Sequence, residues 1–132
     1  MAVADASNVV RLQPVRVLLV GADMRFTRVA AALLSFEGYS VQSCERLREL
    51  MEWVHRLSTD VVVIDASRSL ADAARATVSL RMLPQPVPAV LVVDHGSDSV
   101  AAGMPLISKW GRFEELSARV DQAYQWRCGV CA

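Results

Sequence analysis

The sequence lacks an excess of charge of either sign, since fourteen Lys and Arg residues balance fourteen Asp and Glu residues among 132. A balanced surface has no net field to attract nucleic acid or an anionic membrane, so we expect neither as a direct partner. No apolar run approaches the roughly 20 residues that a membrane-spanning helix needs. Residues 1–14 lack the basic start and apolar core of a signal peptide, and we therefore expect a cytoplasmic protein.

Metal-binding and redox signatures are also sparse. Three cysteines are an odd number and suggest no disulfide framework, which favours a reducing compartment. His55 and His95 have no Cys, Asp or Glu at a spacing typical of metal ligands. Cys128 and Cys131 form a C-x-x-C motif at the end of the chain, whereas redox proteins place this motif at the start of a helix. We predict two reduced thiols in a loose tail, residues 127–132.

What the sequence does contain is a fivefold alternation of strand-like and helix-like patterns. Its length and its 53% hydrophobic content suit a single domain, residues 15–126, after a flexible lead-in at 1–14. The predicted strands are residues 15–20, 39–44, 61–64, 90–93 and 106–108. The predicted helices are residues 24–37, a second helix around 47–54, then 70–82 and 113–126. Most of these strands are apolar on both faces, which indicates a parallel sheet covered by helices on both sides.

The polar second strand suits a sheet edge, so the pattern predicts a flavodoxin-like α/β sandwich with strand order 2-1-3-4-5. Only twelve residues separate the fourth strand from the fifth, near the minimum for a crossover, and we expect a short or missing fourth helix. Asp23 is a plausible cap for the first helix, which Gly38 should end. The residues expected on the inward helix faces are Phe26, Val29, Ala30, Leu33, Leu34, Leu47, Leu50, Met51, Val54, Leu70, Ala73, Ala74, Thr77, Val78, Phe113, Leu116, Val120, Ala123 and Tyr124.

Charged residues follow the apolar strands at the points where those strands end. Asp65 closes the run Val61–Ile64, Asp94 follows the fourth strand, and Lys109 follows the fifth. In an open parallel sheet the carboxyl ends of the strands border one crevice, where ligands bind. We therefore expect these three side chains to meet there, together with the segment 21–23 that follows the first strand.

Four segments carry a resemblance to a known family: VRVLLVGAD, DVVVIDAS, AVLVVDH and LISKWGRFEEL. Their order and spacing resemble the receiver domain of two-component response regulators over roughly residues 15–124. In that family an acidic pair after the first strand holds Mg²⁺, and an aspartate after the third strand accepts a phosphoryl group. A Thr or Ser after the fourth strand and a Lys after the fifth bind the phosphoryl oxygens.

The resemblance places the phospho-acceptor position at Asp65 and the phosphate-binding lysine at Lys109. The acidic pair falls on Gly21 and Ala22, which have no side chain that can bind a metal. The Thr or Ser switch position falls on Asp94, whose negative charge would repel a phosphoryl group.

The neighbouring positions depart from the family as well. Trp110 stands where the family has a proline, often in a cis peptide bond. A cis bond before Trp costs about 2.5–4 kcal/mol, so we predict a trans bond between Lys109 and Trp110. The crevice of Asp65, Asp94 and Lys109 carries one net negative charge and should be held together by an ion pair of Lys109. Asp23 is expected to serve mainly as the helix cap.

These departures identify the chain as similar to atypical, pseudo-receiver members of the family, which signal by protein contact without phosphorylation. We expect no catalysis, no metal and no cofactor. The partner would be a histidine kinase, an output regulator or a second copy of the chain in a homodimer. With no second domain, the chain should have no DNA-binding output of its own. Trp110, Phe113 and Trp126 are the candidate interface residues, because a shortened fourth helix should uncover their side of the sheet.

Two kinds of alternative remain open from the residues. The first is a genuine phospho-accepting receiver that uses Asp65, with Mg²⁺ held by Asp23. The second is a cofactor-binding, redox or zinc protein that uses the flavodoxin-like fold or the C-x-x-C motif. Against cofactor binding, the segment 21–24 is not a glycine-rich phosphate loop. A zinc site would need two further ligands or a dimer that shares the metal.

Overall fold

The alternating patterns form one sheet with helices on both faces in the computed structural model of the chain, which describes residues 13–94, 100–101 and 104–131. The strands are β1 (Arg16–Val20), β2 (Ser40–Cys44), β3 (Val61–Asp65), β4 (Ala89–Val93), β5 (Val100–Ala101) and β6 (Met104–Ser108). The helices are α1 (Met24–Phe36), α2 (Leu50–Leu57), α3 (Leu70–Arg81) and α4 (Phe113–Cys131), and a 3₁₀ turn at Leu47–Glu49 precedes α2. Helix α4 corresponds to the last predicted helix.

The sheet order is β2-β1-β3-β4-β6-β5, in which the five longer strands are parallel. This arrangement confirms the predicted flavodoxin-like order and the edge position of the polar strand β2. The register pairs Val20 with Ile64 and Asp65 with Val92, so the carboxyl ends of β1, β3 and β4 lie side by side. Parallel pairing therefore brings the residues that follow these strands to one edge of the sheet.

Two hydrophobic cores hold the helices against the sheet because strand residues alternate between its faces. Residues such as Leu18, Val62 and Leu91 contribute to the core beneath α2 and α3. Residues such as Leu19 and Val63 contribute to the core beneath α1 and α4. All of β3 from Val61 to Ile64 is at most 1% exposed. This run is the most deeply buried strand, and it fixes the position of Asp65 at its end.

The connection from β4 to β6 differs from a regular crossover. The strand β5 pairs antiparallel with β6, with Val100 opposite Pro105 and Ala101 opposite Met104. The sequence pattern predicted no strand here. In the described part of this connection, residues 94, 100–101 and 104–106, there is no helix, which agrees with the short or missing fourth helix. Residues 95–99 and 102–103 lie outside the described residues.

The helix boundaries and caps mostly confirm the predictions. Asp23 caps α1 by accepting a hydrogen bond from the Phe26 N–H at 3.1 Å. Gly38 adopts φ +101° just beyond the helix end, a conformation that favours glycine. The buried stripe of α1 consists of Phe26, Ala30 and Leu34.

Several apolar residues predicted to face inward are exposed instead. Val29, Leu33, Met51, Leu70 and Val78 are between 39% and 52% exposed. Each lies beside the buried stripe of its helix. Because an α-helix rotates by about 100° per residue, these side chains point away from the sheet. The prediction was wrong for these residues because the contact of each helix with the sheet is narrower than its apolar arc.

The predicted loose tail is also wrong in its described part, since α4 continues through Cys131. Arg127 Nη1 lies 2.9 Å from Asp60 Oδ1, and both side chains are about four-fifths buried, at 20% and 19% exposure. Asp60 Oδ2 accepts a further hydrogen bond from the Arg16 N–H at 2.9 Å. This network ties the last turns of α4 to the start of β3 and explains why the helix extends beyond Trp126. The predicted lead-in lies almost entirely outside the described residues.

Two further features complete the fold. Cys44 ends the edge strand β2 and is only 6% exposed, and its Sγ lies 3.9 Å from the Arg46 carbonyl oxygen. Burial, and secondarily the charge of Glu49, raises the pKa of Cys44 to about 11. No helix in the described ranges is long and apolar enough to cross a membrane.

Candidate functional site

The predicted crevice forms at the carboxyl ends of the parallel strands, and Lys109 is at its centre. The Lys109 Nζ lies 2.7 Å from Asp65 Oδ2 and 3.1 Å from Asp94 Oδ1. It also lies 2.9 Å from Asp23 Oδ2. The structure thus brings together all four charged residues that the sequence placed at this edge, and it confirms the ion pair between Lys109 and Asp65.

Lys109 is buried although it is charged, with only 3% of its side chain exposed. Burial alone would lower its pKa, but the hydrogen bonds to Asp65, Asp23 and Asp94 outweigh this effect and raise the pKa above its ordinary value of 10.5. The backbone of Lys109 is fixed as well, since its N–H donates to the Val93 carbonyl at 2.8 Å. The ammonium is therefore charged throughout the physiological pH range and held in place.

Both oxygens of Asp65 have hydrogen-bond partners. Oδ2 accepts from Lys109, and Oδ1 accepts from the Ser67 N–H at 3.0 Å. The side chain is 11% exposed. An Asx turn through Ser67 thus orients the carboxylate toward the lysine, as the turn chemistry of aspartate allows.

Asp23 has a second role that the sequence reasoning underrated. Its Oδ1 caps α1, while its Oδ2 accepts from Lys109. The hydrogen bond from Lys109, and after it that from the Phe26 N–H, lowers the pKa of Asp23 below its ordinary value of 3.8. One carboxylate can do both because its two oxygens point in different directions. Counting Asp23, three carboxylates and one ammonium leave two net negative charges in the crevice, not one.

The acidic-pair positions are closed to a metal ligand for different reasons. A Cβ placed on Gly21 would lie 2.7 Å from the Asp65 Cβ, so this glycine allows the loop to approach β3. Ala22 is exposed, and its side chain has no ligating atom. Among the described residues, no group of three or more His, Cys, Asp or Glu side chains is arranged to hold a metal ion. Together with the ammonium between the carboxylates, these facts show that the crevice does not fit the Mg²⁺ that the resemblance implies.

The predicted interface residues have different surroundings. Trp110 is 49% exposed and packs edge-on against Phe26, with ring centroids 5.9 Å apart. The Arg25 guanidinium lies 5.7 Å from its ring centroid. Phe113 is partly buried against the core beneath α1 and α4. The described chain has no cis peptide bond, which confirms the trans bond before Trp110.

Trp126 is 42% exposed and lies at the opposite end of α4 from the crevice. It borders a groove of about 250 Å³ on the side of β4 and α4. The groove is lined by Arg81, Pro88, Ala89, Val90, Arg119, Gln122, Ala123 and Trp126. Five of these eight residues are apolar, so the groove is a candidate contact surface.

A wider groove of about 840 Å³ opens over the charged crevice. Its rim includes Arg46, Arg48 and Arg68, which the sequence reasoning did not single out. These arginines follow β2 and β3, so the rule that strand ends border the crevice could have identified them. Cys128, by contrast, lies about 22 Å along α4 from the helix start, at 1.5 Å per residue. The C-x-x-C motif and the charged crevice are separate.

Comparison with known proteins supports this architecture. No family model matches the chain. The transcriptional regulatory proteins GlrR of Escherichia coli strain K12 and QseF of E. coli O157:H7 are each 28% identical over 112 residues, which make up 83% of this chain and 24% of the relative. The chain thus spans about a quarter of the length of the curated relatives that it matches.

Solved structures of similar fold have the same character. A response regulator from Thermotoga maritima superposes with a TM-score of 0.73 and 18% identity, covering 86% of this chain and 99% of that one. A signal receiver domain of a Luxo repressor protein from Vibrio parahaemolyticus gives a TM-score of 0.72 and 16% identity, covering 87% and 93%. The chain has the fold of the response-regulator receiver domains.

Proposed function

We propose that the chain is an atypical receiver domain in two-component signalling, which acts through protein contact and without phosphorylation at Asp65. The receiver fold and the similarity to two transcriptional regulators support the signalling role. One observation supports signalling without phosphorylation most directly. The Lys109 Nζ lies 2.7 Å from Asp65 Oδ2, inside a crevice that has two net negative charges.

The chemistry of phosphoryl transfer explains why this pairing matters. A carboxylate that attacks a phosphoryl group needs cations to neutralise the charge of both reactants. Among the described residues, the cation paired with Asp65 is Lys109, which already serves three carboxylates. The side chain of Asp94 lies 3.1 Å from the ammonium, and its charge opposes the approach of another anion. Asp65 is therefore a structural partner of Lys109 in this proposal.

The direct test is phosphorylation of the purified protein by acetyl phosphate with Mg²⁺, read by intact mass spectrometry. We expect no mass increase of a phosphoryl group, and no change in tryptophan fluorescence on addition of beryllofluoride. Asp65→Asn is the control that would identify the site of any modification. A phosphorylated wild-type protein whose Asp65→Asn variant stays unmodified would refute the proposal.

One observation favours a second candidate, a Mg²⁺-dependent receiver that is phosphorylated on Asp65. Asp23 reaches the crevice and lies 2.9 Å from the same ammonium as Asp65, so two carboxylates do converge there. If Lys109 withdrew, these two could share a metal. The acetyl phosphate experiment in the presence and absence of Mg²⁺ distinguishes this candidate from the first.

Protein contact is the output we propose, with a histidine kinase, an output regulator or a second copy of the chain as partner. The apolar groove beside Trp126 and the half-exposed ring of that residue support a contact at this side of β4 and α4. Aromatic residues in such positions are enriched at interfaces. We propose a homodimer through this groove as the simplest case, to be tested by light scattering.

A further inference from the structure

We infer that the Lys109 ammonium is the resident cation of the crevice and excludes divalent metal ions by occupying the point on which Asp23, Asp65 and Asp94 converge. The inference rests on the proposed phosphorylation-independent function and explains it. It assigns to one side chain the place of the metal that other receivers use. Lys109 is also the only lysine of the chain, in which the other thirteen basic residues are arginines.

The geometry of the ammonium is that of a coordinated cation. Its three donor protons match three carboxylate oxygens at 2.7, 2.9 and 3.1 Å. The three acids come from different elements: the N-terminal cap of α1, the end of β3 and the end of β4. Carboxylates from three separate elements would repel one another without a cation between them. The lysine therefore neutralises the repulsion among the three carboxylates, as a bound metal would otherwise do.

The lysine cannot easily leave this position. Its Nζ lies 5.8 Å from the ring centroid of Phe26, which forms a T-shaped contact with the ring of the next residue, Trp110. Its backbone is tied to Val93, and its side chain is 3% exposed. Withdrawal would break three charge-assisted hydrogen bonds and leave the carboxylates without a counter-charge.

A divalent ion and the ammonium cannot share this point. Mg²⁺ requires oxygen ligands at about 2.0–2.1 Å in octahedral geometry. The three carboxylate oxygens lie farther than this from the Lys109 Nζ, at 2.7–3.1 Å. A metal beside the lysine would place two cations next to each other. A carboxylate at position 21 could screen them, but this position is a glycine, and a Cβ there would collide with Asp65. Around Nζ the three carboxylates do not have the spacing of a metal site. Removing the lysine charge leaves them without a counter-cation, so a hard cation, which prefers carboxylate oxygens, can draw them inward.

The test is to replace Lys109 with a neutral side chain of similar length and measure Mn²⁺ binding by electron paramagnetic resonance. We expect Lys109→Met to bind one Mn²⁺ saturably, at least about tenfold more tightly than the wild type, and Lys109→Arg to behave as the wild type does. Adding Asp23→Asn to Lys109→Met should weaken binding by about tenfold or more. A folded Lys109→Met protein without saturable binding would overturn the inference, as would equally tight binding by the wild type.

A second measurement needs no variant. In protein labelled with ¹⁵N-lysine, a single side-chain ammonium resonance is expected, visible because burial slows its proton exchange. We expect this resonance to remain unchanged when millimolar Mg²⁺ is added. A shift or loss of the resonance at saturating Mg²⁺ would show that metal displaces the lysine and would overturn the inference. Phosphorylation of Asp65 by acetyl phosphate would refute the proposed function instead, so the two failures are distinguishable.

Discussion

Gly21 and Asp65 stand so close that a Cβ on the glycine would lie 2.7 Å from the Cβ of the aspartate. This contact joins the loop after β1 to the end of β3, and it leaves no room for a side chain at position 21. Asp65 takes part in both contacts: its Cβ lies against the Gly21 backbone, and its Oδ2 pairs with Lys109. An acid at position 21 would require one of the two to move.

The first prediction concerns this contact. Gly21→Ala should lower the free energy of unfolding by about 1–3 kcal/mol, because the added methyl group overlaps Asp65. The matched control is Gly129→Ala, where an added Cβ meets nothing within 4 Å and the backbone is helical. That variant should be more stable by about 0.5–1 kcal/mol. Urea denaturation measures both, and equal effects of the two substitutions would contradict the clash.

The second prediction concerns the stability that Lys109 provides. Lys109→Met should cost about 3–5 kcal/mol at neutral pH, since it leaves Asp65 buried without its counter-charge. The cost should shrink as the pH falls and the carboxylates become protonated. At roughly 0.05–0.15 kcal/mol per residue, a chain of 132 residues has about 7–20 kcal/mol of stability, so we expect the variant to remain folded at 25 °C.

Arg56→Met is the control for the loss of a basic residue. Its pair with Glu52 is an exposed contact one helical turn away, with side chains 61% and 67% exposed. Arg56 also lies 5.8 Å from the ring centroid of Trp53. Removing both contacts should cost only about 1 kcal/mol and show no comparable dependence on pH. A Lys109→Met protein as stable as Arg56→Met at neutral pH would show that the crevice does not depend on its central cation.

The third prediction separates the two roles of Asp23. The pKa of this carboxyl is lower in the folded protein than in the unfolded chain. Its ion pair therefore stabilises the fold fully above the unfolded pKa, near 3.8, and the contribution disappears as the pH falls through the lower folded pKa. Asp23→Asn keeps a helix cap but removes the charge, so its stability deficit should be constant at neutral pH and vanish in acid.

Asp23→Ala is the matched variant for the cap. It should lose a further amount of about 0.5–2 kcal/mol at every pH, since alanine cannot accept the hydrogen bond from the Phe26 N–H. Stability curves from pH 7 to pH 2 for the wild type and both variants provide the measurement. If the Asn variant had the same deficit at both ends of this range, the charge of Asp23 would have no part in the fold.

The fourth prediction concerns self-association through the groove beside Trp126. Trp126→Ala should weaken the proposed dimer by about 2 kcal/mol, or about thirtyfold, because the ring is the largest apolar group at the groove. Trp110→Ala is the control, since this ring is similarly exposed but packs against Phe26 and Arg25. Light scattering over a range of protein concentrations measures the association. A dimer unaffected by Trp126→Ala would place the contact elsewhere.

The sequence predicted the fold well because the central strands are buried on both faces and their apolar runs are unambiguous. Parallel pairing then placed Asp65, Asp94 and Lys109 together without further information. The bond of Asp23 to Lys109 depends on how one carboxylate divides its two oxygens, which spacing along the chain does not reveal. The extension of α4 depends on Arg127 reaching Asp60, 67 residues away in the sequence. Contacts of this kind arise only once the sheet has formed.

The flanks of the helices illustrate the same limit. Val29 and Leu33 are apolar and have helical spacing, so periodicity alone assigns them to the core, but α1 buries only the stripe of Phe26, Ala30 and Leu34. Likewise, the short antiparallel pairing of β5 with β6 has no signature in a segment of mixed small residues. Both features depend on how closely neighbouring elements approach, which is a tertiary property.

The buried thiol of Cys44 makes the edge of the sheet open to chemical observation. Its pKa of about 11 keeps it protonated at neutral pH, and its position at the end of β2 shields it from solvent. An alkylating reagent can reach this sulfur only when the core around the end of β2 opens. The rate of alkylation at position 44 therefore reports how often this edge of the sheet opens. Cys128, which is exposed on α4, gives the reference rate for an accessible thiol.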